Sequence, residues 1–157
     1  ITCCFRLVVR YYIYVRQFCR KENAMPDLRS EELKSELTQF SGTEHYYAHA
    51  LPMCNEKLTL TDGVKFWAEK VGGYWFLDIV LTEIMPYIND PENNKGDYPV
   101  QNFACVELDV IDDEADIRFG DGNGETRVWK HIDFTDCPAG TWSFWIEGGV
   151  MLLPSEH

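Results

Sequence analysis

Leu33, Leu37 and Phe40 recur at i, i+4 and i+7 behind Ser30, with Glu31 and Glu32 between them. That spacing puts three apolar side chains on one helical stripe, and the two acids fall where a helix N-terminus favours negative charge. The pattern predicts a helix capped by Ser30, running to about Phe40 and stopped at Gly42. Thr43 to His49 reads as an aromatic-rich turn or short helix, ended by Pro52. Leu58 and Leu60 alternate with polar neighbours and predict a short strand. A second helix follows, capped by Thr61 or Asp62, with Val64, Trp67, Ala68 and Val71 on its buried face and Gly72-Gly73 as its break. A third helix spans about Tyr74 to Met85. It is apolar nearly all round, which predicts a central core helix, and Pro86 stops it.

Residues 86–99 are dense in Pro, Asn, Asp and Gly and read as a loop. Beyond them the period changes to two. Ala104, Val106, Leu108 and Val110 alternate with Cys105, Glu107 and Asp109, and Ala115, Ile117 and Phe119 alternate with Asp116 and Arg118. The sequence GDGNG at 120–124 is a turn, Thr126–Phe134 a third strand and Thr141–Glu147 a fourth, before Gly148-Gly149 turns into Val150–Leu153. Helices followed by consecutive short strands predict an α+β fold: three N-terminal helices and a short strand, packed on a C-terminal antiparallel meander of about four strands.

A chain of 157 residues that is 45% hydrophobic has material for one core without a disulfide or metal. Its charge is uneven. Residues 1–24 carry Arg6, Arg10, Arg16, Arg20 and Lys21 against Glu22, a net +4 in a chain of −12, which leaves −16 for residues 25–157. Such a body repels phosphate backbones and anionic membrane surfaces, so direct nucleic-acid or membrane binding is not expected. Residues 1–24 contain arginines every four to six positions, which rules out a secretory signal core and a membrane span there. A basic amphipathic surface helix is compatible with them. The preferred expectation is that 1–24 are upstream sequence and that the domain is 25–157, beginning at Met25. Cys54, Cys105 and Cys137 are widely spaced and no Cys-x-x-Cys occurs, which fits a reducing, cytoplasmic setting.

Three constellations carry candidate chemistry. His45 and His49 have the i, i+4 spacing that puts two imidazoles on one helical face, with His131, Cys54 or an acid as a third metal ligand. Tyr46 stands where a metalloprotease motif needs Glu, so no metal or other cofactor is assigned. Asp116, Asp121, Asn123 and Glu125 surround a glycine-rich turn but lack the order of a calcium loop, and a hairpin turn accounts for them. Asp78 is a lone acid inside the apolar third helix. Burial there requires hydrogen-bond partners or makes it a pocket carboxylate with a raised pKa. A helix–sheet pocket lined by His49, Trp67, Tyr74, Trp75 and Asp78 is the binding-site candidate, and no catalytic set is identified.

ELTQFSGTEHYYAH at 36–49, LTDGVKFWAEKVGGYWFLD at 60–78 and EGGVMLLPSEH at 147–157 resemble an uncharacterised family of short bacterial proteins, also found on plasmids and phages. The resemblance covers roughly 30–157 and implies relatives without an assigned activity. The first reading of function is therefore a cytoplasmic, non-enzymatic protein-binding or regulatory module of a mobile element, with homo-oligomerisation left open. The alternatives are a small enzyme or ligand-binding protein with its pocket around Asp78, and an acidic DNA mimic.

Overall fold

A computed structural model describes residues 28–95 and 99–157. The expectations for residues 1–24 lie outside the described residues. Among those described, helix α1 spans Leu28–Leu37 and strands β1 and β2 span Tyr47–His49 and Leu58–Leu60. Helix α2 is Asp62–Val71 and α3 is Tyr74–Ile79, continued by a π-turn at Val80–Ile84 and by α4 at Met85–Asn89. Strands β3 (Ala104–Ile111), β4 (Glu114–Gly120), β5 (Thr126–Ile132), β6 (Gly140–Glu147) and β7 (Val150–Leu152) follow.

The α+β class stands, but the sheet is larger than a four-strand meander. Seven strands form one mixed sheet in the order β1-β2-β7-β6-β3-β4-β5. The expected separate short strand is β2, which joins the sheet by parallel pairing of Thr59 with Val150 and Leu60 with Met151. β1 pairs antiparallel with β2 and forms one edge. It escapes the sequence pattern because three residues are too few to display an alternation.

Alternation builds the core. Val106, Leu108, Ile117, Phe144 and Ile146 are buried on one sheet face, where the helices cover them with Val64, Trp67, Phe76, Leu77, Val80 and Leu81. Trp67 meets Phe144 edge-on at 4.8 Å and Phe76 at 5.6 Å. The turn between α2 and α3 fits because Gly72 adopts φ +64° and because a Cβ on Gly73 would lie 2.5 Å from the Trp67 ring. The third helix does not stop at Pro86. Its backbone widens into the π-turn, in which Met85 N–H donates to Val80 O, and Pro86 takes a place in the first turn of α4. A proline there lacks its N–H and would collide with an α-helical carbonyl four residues back, and the wider turn relieves both conflicts. The turn 120–124 joins β4 and β5 with Gly122 and Gly124 at positive φ, and Asp121 accepts the Asn123 N–H at 3.0 Å, as a hairpin turn requires.

Candidate functional site at the first sheet edge

The start of α2 is held by two carboxylates, one on each side. Asp62, its first residue, accepts the backbone N–H groups of Glu44 at 2.8 Å and His45 at 3.0 Å, and the Tyr47 hydroxyl at 3.0 Å. Thr43 Oγ1 accepts the Asp62 N–H at 3.0 Å. The His45 N–H leads the donors that hold the Asp62 carboxyl down at about 2. On the other side, Glu156 accepts the Thr61 hydroxyl at 2.6 Å and the N–H groups of Gly63 at 2.9 Å and Leu153 at 3.0 Å. Thr61 occupies the N-cap position, yet the capping oxygens come from Glu156, so the expected cap by the Thr61 or Asp62 side chain is replaced by one from the far end of the chain. Gly63 is glycine because a Cβ would lie 2.5 Å from Leu153 Cδ1 and 2.8 Å from a Glu156 oxygen. The three segments behind the family resemblance thus meet at one helix end.

Beside this clasp, β1 presents Tyr47 and His49 to α2 and α3. Lys65 Nζ sits 4.4 Å from the Tyr47 ring centre and pairs with Glu69 at 3.2 Å, and that hydrogen bond raises the lysine pKa. The hydrogen bond to Asp62 raises the Tyr47 hydroxyl. His49 Nε2 lies 2.8 Å from Asp78 Oδ1, and its ring is 6.0 Å from that of Tyr74. Three of the expected site residues, His49, Tyr74 and Asp78, therefore come together. Two do not. Trp67 is wholly buried in the core, and Trp75 packs half-buried against Phe76 at 6.2 Å.

Several expectations change here. Asp78 is not buried among apolar residues: its side chain is 42% exposed, because the helix is covered on one side only and Asp78 lies on the uncovered side with Tyr74 and Thr82. His45 and His49 do not share a helical face, since His49 is in a strand and His45 in the loop before it. Among the described residues no three His, Cys, Asp or Glu side chains form a metal-sized group. His131 instead pairs with Asp116 at 2.8 Å across β4 and β5. Burial pushes the Cys137 thiol up to about 12 and raises Cys105, which disfavours thiolate chemistry at both.

An open cavity of about 720 Å³ lies between the loop 39–45 and α2, lined by Phe40, Thr43, His45, Tyr47, Asp62 and Lys65. The sequence reading missed Asp62, Tyr47 and Lys65 as site residues. Asp62 at a helix start carried a signal, but one that also marks an ordinary cap, and the partners of Tyr47 and Lys65 are set by tertiary packing. The far edge of the sheet carries a second arrangement, in which the Arg127 guanidinium lies 5.2 Å from the Tyr87 ring and 5.7 Å from the Trp129 ring.

Residues 31–157 match the model of a family described as a family of unknown function, DUF6876. No curated protein and no solved structure matches the chain. Among the described residues no helix is long and apolar enough to cross a membrane.

Proposed function

The chain belongs to this DUF6876 family, which carries no assigned activity, and we propose that it is a non-enzymatic binding module that docks a basic protein partner along β1. One observation carries the reading. Among the described residues β1 is an edge strand with no neighbour on its outer side, flanked by exposed aromatics, Tyr46 at 64% and Tyr74 at 39%. Tyrosines at a surface supply large contact area with little entropy to lose. A free strand edge offers unpaired N–H and C=O groups to an extended segment of the partner. The charge of −16 over residues 25–157 selects for a basic partner and speeds its encounter. The likeness of the three motif segments to plasmid- and phage-borne bacterial proteins, and the three free thiols of the described residues, support placing this module in a bacterial cytoplasm as a regulator in a mobile element.

The test is affinity capture from the native host with the parent protein and a Tyr46→Ser/Tyr74→Ser variant of matched melting temperature. A basic protein held by the parent and lost by the variant at equal salt is the expected result. Identical captures by both, or capture of only a second copy of this chain, overturn the reading.

A second reading rests on the 2.8 Å His49–Asp78 pair, in which the carboxylate orients the imidazole as a general base would require. It predicts a ligand whose binding His49→Gln abolishes while the two tyrosine substitutions leave it intact.

A further inference from the structure

β7 covers only part of β6. It pairs with Trp145, Ile146 and Glu147, so Thr141–Phe144 has β3 on one side and no strand on the other. α1 and the C-terminal residues stand beside this uncovered stretch, and the gap is a cavity of about 350 Å³ with Leu37, Trp142, Phe144, Leu153 and Pro154 among its walls. That volume lies at the small-molecule end of ligand-site sizes, about 300–1,000 Å³.

Two donors stand at this cavity, one of them buried without an acceptor. Trp67 lines it and is 0% exposed, and its Nε1–H has no hydrogen-bond partner. The six-membered ring of this indole lies against Gly73, which turns the pyrrole nitrogen the other way. Indole N–H groups buried without an acceptor are uncommon, and each is costly. Lys34 is the second donor. Its ammonium lies 5.7 Å from the centre of the Trp142 ring, and among the described residues it has no carboxylate within salt-bridge distance. The nearby hydroxyls do not answer these donors: Thr38 donates to Ser35 O at 2.7 Å, and Thr141 is turned to Asp109 at 2.7 Å.

We propose that this cleft between α1, the uncovered part of β6 and the C-terminal turn binds a small apolar carboxylate. The aromatic and aliphatic walls take the body of the ligand. Its carboxylate lodges by Trp142, where it answers the charge of Lys34 and accepts the Trp67 N–H. A cation over an aromatic ring, next to a buried N–H, selects an anion with an apolar body over a neutral one of the same shape. The site is separate from the β1 edge, and its success or failure does not depend on protein docking there.

The experiment follows the indole N–H signals of ¹⁵N-labelled protein during titration with phenylacetate, indole-3-acetate and octanoate, each beside its primary amide. Trp67→Phe assigns the signal. If that variant does not fold, the nuclear Overhauser contacts of Trp67 to Phe76 and Phe144 assign it in the parent. The expected result is saturable movement of the Trp67 signal by at least one acid, with its amide and a Lys34→Met variant each weaker by about tenfold or more. Lys34 is a surface residue of α1, so Lys34→Met keeps the fold and reads the charge alone. No movement with any acid at millimolar concentration, equal binding of acid and amide, or unchanged binding by Lys34→Met overturns the proposal.

Discussion

Asp62 shows how much one side chain can fix. Its oxygens collect the backbone of Glu44 and His45 and the hydroxyl of Tyr47, and so set the path of the loop that delivers β1 to the sheet edge. Its folded-state pKa of about 2 lies below the ordinary 3.8, so the ionised form is favoured by folding. A depressed pKa contributes stability that is complete above the unfolded value and is lost as pH falls through the folded one. Melting curves of the parent and Asp62→Asn should therefore differ most above pH 4 and converge between about 4 and about 2. A gap that stays constant over that range would show that the charge of Asp62 contributes nothing. Asp78 gives the opposite lesson. A lone acid in an apolar helix reads as buried, but the residue is half-exposed and paired with His49. Sequence records that the position is polar; which face of the helix meets solvent is decided by where β1 falls.

At the scale of elements, α2 was legible from its apolar spacing and β3 and β4 from their alternation, because each buries one face more than the other. What decided the rest is long-range. β1 has too few residues to show a period, Pro86 suggested an end where a π-turn continues the helix, and the cap of α2 comes from Glu156. The site was legible in the same partial way: His49, Tyr74 and Asp78 do converge, while Trp67 serves the core face that its own spacing had indicated. The cap makes a prediction of its own. Glu156→Ala leaves the Gly63 and Leu153 N–H groups without their acceptor and the Thr61 hydroxyl with only the Met151 carbonyl at 3.3 Å, at a cost of about 1–3 kcal/mol. Glu156→Gln retains one acceptor oxygen and should cost less. Chemical denaturation of the two variants decides it, and equal stability of Glu156→Ala and the parent would remove the cap from the account.

For the molecule as a whole, the histidines are dispersed. His45 and His49 lie at the first edge beside Asp62 and Asp78, while His131 pairs with Asp116 and His157 with Glu147 elsewhere. Elemental analysis of the purified protein should accordingly find well under one equivalent of zinc, and a stoichiometric content lost in His49→Ala would contradict this. The parallel pairing of β2 with β7 has a consequence in time. The edge formed by β1 and β2 attaches to the rest of the sheet only through β7, and the Thr61–Glu156 bond spans 95 positions of sequence. Closing contacts across so long a span exacts its entropy before any reward arrives, which slows folding. During synthesis the β1–β2 hairpin can pair with itself early, but it has no sheet to join until β7 has emerged about ninety residues later, so of the described strands these two stay longest as an isolated hairpin.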